Sequence, residues 1–175
     1  MGRALERAAS LDASIYGRVA GTHSPRLDRA MRELSRAADH GKLWFGIAAA
    51  LAITDGARGR GAARDGMRSL ALASASANLI GKPLTRRVRP AQADLIADEL
   101  RRGRMPRSSS FPSGHTASAF AFAYGAGGSE RPLLLPLLAL AGAVGYSRVH
   151  TGVHYPTDVI AGALIGLGAA RLVRG

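Results

Sequence analysis

The feature that most constrains this fold is a series of five apolar segments, separated from one another by polar or basic stretches. They cover residues 43–54, 67–81, 116–126, 133–146 and 159–173, and they are nearly free of charge. None shows the alternation of apolar and polar residues that marks a strand. We therefore predict an all-α fold, a bundle of about five apolar helices.

Length alone leaves both a membrane bundle and a soluble bundle open. Crossing a bilayer takes about 20 residues, and most of these segments are shorter. The mean hydropathy of +0.03 is also close to that of soluble proteins. The segments are nevertheless rich in Gly, Ala and Ser, as packed transmembrane helices are, and flanking residues can lengthen them. We expect a membrane-embedded bundle, with a soluble bundle as the alternative.

The first forty residues have a different pattern. Residues 3–19 place apolar side chains at helical spacing, with Asp12 among them, and residues 27–38 form a second, polar helical piece. No continuous apolar stretch occurs there, so we expect no cleaved signal peptide. We predict an N-terminal amphipathic segment, residues 1–40, on a membrane surface or against the other helices, followed by the helical bundle, residues 41–175.

The net charge of +12 calls for an anionic partner. Nucleic acid, a membrane surface and a phosphorylated substrate all qualify, but aromatic residues make up only 5% and no basic strip carries interleaved stacking residues. We therefore expect no nucleic-acid partner. The absence of cysteine excludes disulfides, thiolate metal sites and a cysteine nucleophile.

The connection between the last two apolar segments concentrates reactive side chains. Pro156 suits the first turn of a helix, which puts Asp158 near a helix start and one turn beyond His154. A carboxylate there can fix the tautomer of His154 so that the other ring nitrogen is a nucleophile. Arg148 adds a planar cation suited to phosphate oxygens. A polar turn with a capping Asp is the simpler alternative.

Two more clusters have related chemistry. Residues 82–90 place cations, Lys82 and Arg89 among them, at the end of an apolar segment. Residues 111–115 precede another, where a helix start offers free N–H groups and Gly114 allows an anion to approach closely. A bound anion would favour the protonated form of His115 and suit it to donate a proton.

Alternating helix directions would bring these clusters to one face of the bundle, with Lys82, Arg89, Ser113, His115, Arg148, His154 and Asp158. The opposite face would carry short basic connections with Arg58, Arg60, Arg64, Arg131, Arg171 and Arg174. We read residues 58–64 as a basic loop. The positive-inside rule then predicts a multi-pass protein of the cell membrane with its site on the extracytoplasmic face.

In this order and spacing, the three clusters resemble the type 2 phosphatidic acid phosphatase (PAP2) superfamily, and in particular its small bacterial, actinobacterial-like members. The family pattern is Lys, six residues, Arg-Pro; then Pro-Ser-Gly-His; then Ser-Arg, five residues, His, three residues, Asp. This sequence matches every fixed position, at Lys82, Arg89, Pro90, Pro112, Ser113, Gly114, His115, Ser147, Arg148, His154 and Asp158.

The resemblance implies a role for each matched side chain. His154 attacks phosphorus to form a phosphohistidine, Asp158 holds its ring, and His115 protonates the leaving oxygen before water hydrolyses the intermediate. The implied phosphate ligands are Lys82, Arg89, Ser113, Gly114 and Arg148. The resemblance implies a metal-independent enzyme without a cofactor, acting on a phosphate ester or diphosphate of an isoprenoid or glycerolipid.

Two other functions remain as alternatives. A vanadium-dependent haloperoxidase has the same pocket with vanadate in place of phosphate, although this chain is short and its helices are apolar. A non-catalytic basic membrane-binding protein would not need His115, His154 and Asp158.

Several further residues lie near the motifs. Asp39 and His40 begin a helix at the predicted active face, where they act as a cap or contact the substrate. We expect His150 to pack or to form a hydrogen bond near the site, and Trp44 and Phe45 to anchor a helix at the membrane interface. The arginines of the long polar segment 83–111 either bind a second anionic group or are solvated; they are Arg86, Arg87, Arg101, Arg102, Arg104 and Arg107.

Overall fold

The computed structural model describes residues 2–22, 24–90, 108–128 and 131–175. Arg101, Arg102, Arg104 and Arg107 lie outside the described residues. The helices are α1 (Gly2–Ala20), α2 (Pro25–Ala37), α3 (Lys42–Thr54), α4 (Gly56–Ala75), α5 (Gly114–Gly127), α6 (Arg131–His150) and α7 (Pro156–Arg174). A 3₁₀ turn, Asp39–Gly41, precedes α3, and a π-helical turn, Ser76–Gly81, extends α4. These ranges contain no strand, and the prediction of an all-α bundle with N-terminal helices is confirmed.

Helix α5 lies at the centre because its side chains are small and its neighbours carry glycine where they meet it. A Cβ atom on Gly162 of α7 would lie 2.5 Å from the Ser113 carbonyl oxygen, and one on Gly166 would lie 2.4 Å from that of Ala117. On α4, a Cβ atom on Gly66 would lie 2.9 Å from that of Ala126. Only glycine permits such close approach. This packing places the start of α5 beside the start of α7.

Residues 58–64 belong to α4, so the prediction of a basic loop there is wrong. The glycines that resembled loop residues serve helix packing instead. A Cβ atom on Gly59 would lie only 1.9 Å from the Leu51 carbonyl oxygen of α3. Arg58, Arg60 and Arg64 are exposed along the first turns of α4. The basic charge therefore remains at that end of the bundle.

Trp44 is buried, and its ring lies 5.2 Å from that of Phe122 on α5. The prediction that it anchors α3 at the membrane interface is therefore wrong. Phe45, the next residue, points away from the bundle and is 56% exposed. Adjacent positions on a helix face different directions, so α3 turns one aromatic ring into the core and the other outward.

Helices α6 and α7 are each long and apolar enough to cross a membrane, over Pro132–His150 and Pro156–Arg174. Large apolar side chains project from their outer surfaces, among them Leu135, Ile160, Leu164 and Leu172. Apolar side chains on both the packed and the outer sides of a helix are typical of a membrane protein.

The N-terminal helices pack against the bundle. Helix α1 contacts α6 and α7, and α2 packs along α6. Tyr16 is buried, with its ring 6.1 Å from that of Tyr155, and Asp12 is buried one turn earlier. The structure therefore places this segment against the other helices, which was the second of the two predicted placements.

Candidate active site

Hydrogen bonds join the segments that carry the three sequence clusters. The Ser113 N–H donates to the Asp158 carbonyl oxygen at 3.0 Å. The Arg89 guanidinium donates through Nη1 to the Val153 carbonyl oxygen at 2.8 Å. The segments that follow α4, precede α5 and join α6 to α7 therefore meet at one end of the bundle.

His154 is buried, with its tautomer fixed. Its Nδ1 lies 2.7 Å from the Ser110 carbonyl oxygen, which can only accept, so Nδ1 carries the proton and Nε2 presents the lone pair. Burial, aided by the charges of Arg148 and Arg89 and opposed by that of Asp158, lowers the pKa of His154 to about 4. The imidazole is therefore neutral at pH 7 and has the protonation that a nucleophile needs.

Asp158 lies beside His154 without forming the hydrogen bond expected from the sequence. Its Oδ2 is 3.6 Å from Nδ1 of His154, beyond hydrogen-bond distance, and accepts from the Tyr155 N–H at 2.8 Å. Its Oδ1 accepts from Nη1 of Arg87 at 2.7 Å. The carboxylate therefore fixes the turn that carries His154, while the Ser110 carbonyl fixes the ring.

Arg89 is fully buried next to the nucleophile. Its Nη1 lies 3.4 Å from Nε2 of His154. Its Nε and Nη2 each donate at 3.1 Å, to the Ser108 and Ser109 carbonyl oxygens respectively. The guanidinium therefore ties together the segments around the nucleophile and brings a positive charge to its reactive edge.

Arg148 is a buried cation with an unpaired donor. Its Nη1 donates to the Ser35 hydroxyl of α2 and lies 3.7 Å from Oδ1 of Asp39. Its buried Nε has no hydrogen-bond partner within the described ranges. A buried donor without a partner costs about 1–3 kcal/mol, so a phosphate oxygen at this position would satisfy it.

Lys82 completes the group of cations. Its Nζ donates to Oδ1 of Asn78 at 2.6 Å. Burial and the positive charges of Arg89 and Arg148 lower the pKa of Lys82. An anion bound near these cations would relieve their mutual repulsion.

Ser113 is the N-cap residue of α5, and Gly114 is the first residue of the helix. The Ser113 hydroxyl caps the helix by accepting from the Thr116 N–H at 3.4 Å and bonds the Thr116 hydroxyl at 2.9 Å. A Cβ atom on Gly114 would lie 3.3 Å from Oδ1 of Asn78. The serine hydroxyl thus serves the helix cap, and the glycine keeps space open beside Asn78.

His115 forms a pair that the sequence did not indicate. Its Nε2 donates to Oδ1 of Asp39 at 2.9 Å, and this hydrogen bond lowers the pKa of Asp39. Burial lowers the pKa of His115; Asp39 opposes this effect, while the charges of Arg148 and Lys82 add to it. The start of a helix beside Asp39 predicts a cap or a substrate contact for this residue; only the fold shows that it reaches His115.

Arg87 links the N-terminal segment to the site. It pairs with both Asp158 and Asp12, and its guanidinium carbon lies 4.3 Å from the centre of the Tyr155 ring. Asp12 also accepts from the Thr157 N–H at 2.9 Å. The signal that could have revealed this contact was a carboxylate at an inward-facing position of an amphipathic helix.

Two other predicted residues lie near these groups. His150 bonds Oδ1 of Asp28 on α2 through Nε2 at 2.7 Å. Arg86 is exposed and lines a cavity of about 690 Å³ together with Lys82. Of the two arginines that follow Lys82 closely, Arg86 is therefore the one available for a second anionic group.

A cavity of about 430 Å³ opens beside His115. Its polar lining consists of His40, Ser74, Asn78, Lys82, His115 and Ser118. A group bonded to an oxygen near His115 would extend into this space. Within the described ranges, no three His, Asp or Glu side chains are grouped to hold a metal ion.

A neutral buried imidazole, a second imidazole at a helix start and three cations near them form a group suited to chemistry on a phosphate ester. The sequence pattern of the PAP2 superfamily matches residues 67–174, and the chain belongs to that superfamily. The decaprenylphosphoryl-5-phosphoribose phosphatase of Mycolicibacterium smegmatis is 37% identical over 135 residues, which cover 75% of this chain and 68% of that protein. The bacitracin transport permease protein BcrC of Bacillus licheniformis is 45% identical over 64 residues, covering 37% of this chain and 32% of that protein.

Solved structures share the fold. LpxE of Aquifex aeolicus superposes with a TM-score of 0.76 at 24% identity, covering 94% of each chain. The transmembrane PAP2-type phosphatidylglycerolphosphate phosphatase of Bacillus subtilis superposes with a TM-score of 0.71 at 24% identity, covering 97% of this chain and 85% of that one. The bundle, including α1 and α2, is therefore a known arrangement of helices.

Proposed function

We propose that this protein is a metal-independent phosphatase that hydrolyses a phosphate ester or diphosphate of a membrane lipid through a phosphohistidine. The observation that carries the proposal is the state of His154. Its Nδ1 donates to a backbone carbonyl, its Nε2 is unprotonated, and Arg89 and Arg148 raise the positive charge around it. A neutral nucleophile beside cations suits attack on an anionic phosphoryl group.

In the first step, the lone pair of His154 Nε2 forms a bond to phosphorus while the bond from phosphorus to the leaving oxygen breaks. That oxygen takes the electron pair and receives a proton from His115. In the second step, water attacks phosphorus, gives a proton to His115, and His154 departs with the electron pair of the P–N bond. Lys82 and Arg148 stabilise the charge on the non-bridging oxygens.

The substrate that we propose is an isoprenoid or glycerolipid phosphate. The name of the Mycolicibacterium smegmatis relative supports the first, because it specifies a phosphate on a decaprenyl-linked sugar. The name of the Bacillus subtilis protein, which shares the fold, specifies a glycerolipid phosphate. The cavity beside His115 offers space for the leaving part of either substrate.

A panel of lipid phosphates assayed in detergent with EDTA tests this function. We expect phosphate release in the presence of chelator, inhibition by vanadate, and no release by His154→Ala. A requirement for added magnesium would contradict the mechanism. Halide oxidation with added vanadate would instead indicate a haloperoxidase, and salt-sensitive membrane binding without phosphate release would indicate a binding protein.

We also propose that the chain crosses the membrane several times with its site on the outer face. Arginines at the start of α4 support this, since basic segments stay in the cytoplasm. The chain has no cysteine, so single cysteines can report sidedness directly. We expect an impermeant thiol reagent to label Leu84→Cys, next to Lys82, in intact cells and to label Arg58→Cys only after lysis. The reverse pattern would place the site inside.

A further inference from the structure

Asp39 belongs to the N-terminal part of the chain, which precedes the family match at residues 67–174. It is nevertheless the carboxylate that contacts His115. Building on the proposed function, we infer that Asp39 is a positioning residue that orients His115 and favours its protonated form, from which a proton passes to the leaving oxygen.

The geometry assigns one ring nitrogen to each partner. The bond from Nε2 to Asp39 leaves Nδ1 of His115 as the atom that can donate to substrate. Asp39 is itself held in place, because the 3₁₀ turn that carries it is completed by His40 at φ +56° and Gly41 at φ +74°. Few non-glycine residues adopt positive φ, so this turn has a specific shape.

Charge gives Asp39 its second role. The groups that face His115 are Asp39 from the 3₁₀ turn, Arg148 from the end of α6 and Lys82 from the segment after the π-helical turn, with His40 next to Asp39. The two cations that bind phosphate disfavour the imidazolium, and so does burial. Asp39 is the opposing charge, and a general acid must be protonated before it can act.

The chain contains a matched control for this pair. Asp28 and His150 form a carboxylate–imidazole hydrogen bond of 2.7 Å, also between the N-terminal segment and a bundle helix. His150 lies outside the family pattern. Asp28→Asn therefore removes a similar interaction without touching the proposed acid.

The experiment compares Asp39→Asn with Asp28→Asn on two substrates, a lipid phosphate and an aryl phosphate whose leaving group needs little protonation. For Asp39→Asn we expect kcat/KM on the lipid phosphate, which reports formation of the phosphoenzyme, to fall about 10- to 100-fold, less than most of the roughly 10²- to 10⁴-fold that a general acid itself contributes. KM should change less than about twofold, and the loss on the aryl phosphate should be much smaller. The pH above which kcat of this variant declines should be about one unit lower than in the wild type. Asp28→Asn should match the wild type on both substrates.

Two further variants separate this role from a structural one. Asp39→Asn should cause no further loss in a His115→Ala background, because both changes remove one function. Asp39→Glu retains a carboxylate and should keep the alkaline limb near that of the wild type. Equal losses on both substrates with an unmoved pH profile would overturn the inference and indicate an effect through Arg148. Absence of phosphatase activity in the wild type would refute the proposed function instead.

Discussion

The two histidines of the site are held in contrasting ways. His154 is almost fully buried, and a neutral backbone carbonyl accepts its Nδ1 proton at 2.7 Å, with the nearest carboxylate oxygen 3.6 Å away. His115 is partly exposed at a cavity, and a carboxylate accepts directly from its Nε2 at 2.9 Å.

This difference corresponds to the two proton states that the proposed reaction requires. A carbonyl fixes a tautomer without adding a full negative charge, so burial keeps the His154 ring neutral and nucleophilic. A carboxylate in direct contact stabilises an imidazolium, which is what a proton donor needs. The fold thus gives two identical side chains different hydrogen-bond partners, and these partners favour the opposite roles that we propose for them.

Removal of the nucleophile should have the largest effect. We expect His154→Ala to lower kcat at least about 10⁴-fold on every substrate, since no other group can form the covalent intermediate. Substrate with a radiolabelled phosphate should leave an acid-labile label on the wild-type protein and no label on the variant. A labelled variant would place the nucleophile elsewhere.

Removal of the acid should cost less, in proportion to the leaving group. For His115→Ala we expect kcat/KM on a lipid phosphate, which reports formation of the phosphoenzyme, to fall about 10²- to 10⁴-fold. The aryloxide of an aryl phosphate leaves without a proton, so the loss of kcat/KM on that substrate should be small. The later step, in which His115 accepts a proton from water, does not enter this parameter. Steady-state kinetics on both substrates measure this ratio, and a penalty independent of the leaving group would end the contrast between the histidines.

Asp158→Asn tests whether the Ser110 carbonyl alone fixes the tautomer of His154. We expect kcat to fall about 10- to 100-fold, well short of the roughly 10⁴-fold loss seen when the Asp of a Ser-His-Asp triad sets the tautomer. Asp12→Asn, which leaves Asp158 and its bond to Arg87 in place, should have a smaller effect. Thermal unfolding in detergent controls for stability. A triad-sized loss would show that the carboxylate, rather than the carbonyl, holds the ring.

The last effect concerns stability at low pH rather than activity. The pKa of His154 is about 4 in the folded protein, against an ordinary value of 6.5, so the unfolded chain binds the extra proton first. The contribution of a neutral His154 is present above pH 6.5 and is lost as the pH falls towards 4, by about 3 kcal/mol in total. His154→Gln should therefore lose less thermal stability than the wild type between pH 7 and pH 5. Equal losses would mean that the ring is not held neutral.

Much of this architecture could be predicted from the sequence. Apolar segments without alternation indicated the helices, because a helix needs only local periodicity. Motif spacing indicated His154, His115 and Lys82, because each motif lies at the end of a helix whose direction follows from its neighbours. The helical structure of residues 58–64 could not be predicted, because glycine destabilises an isolated helix but lets two helices pack closely.

The N-terminal segment was the least predictable part. A carboxylate at Asp39 is equally suited to a cap, a substrate contact and a partner for histidine when only its local sequence is known. The division into residues 1–40 and 41–175 stays a prediction, yet Asp12, Ser35 and Asp39 contact Arg87, Arg148 and His115 across it.

The sequence by itself determined the helices, the family and the residue types of the site, because periodicity and motif spacing are properties of a local stretch of chain. Only the tertiary structure decided which group each histidine meets: the Ser110 carbonyl for His154 and the Asp39 carboxylate for His115. These partners are 44 and 76 residues apart in the chain. Proton states depend on burial and on neighbouring charge, and both are set by packing between distant segments.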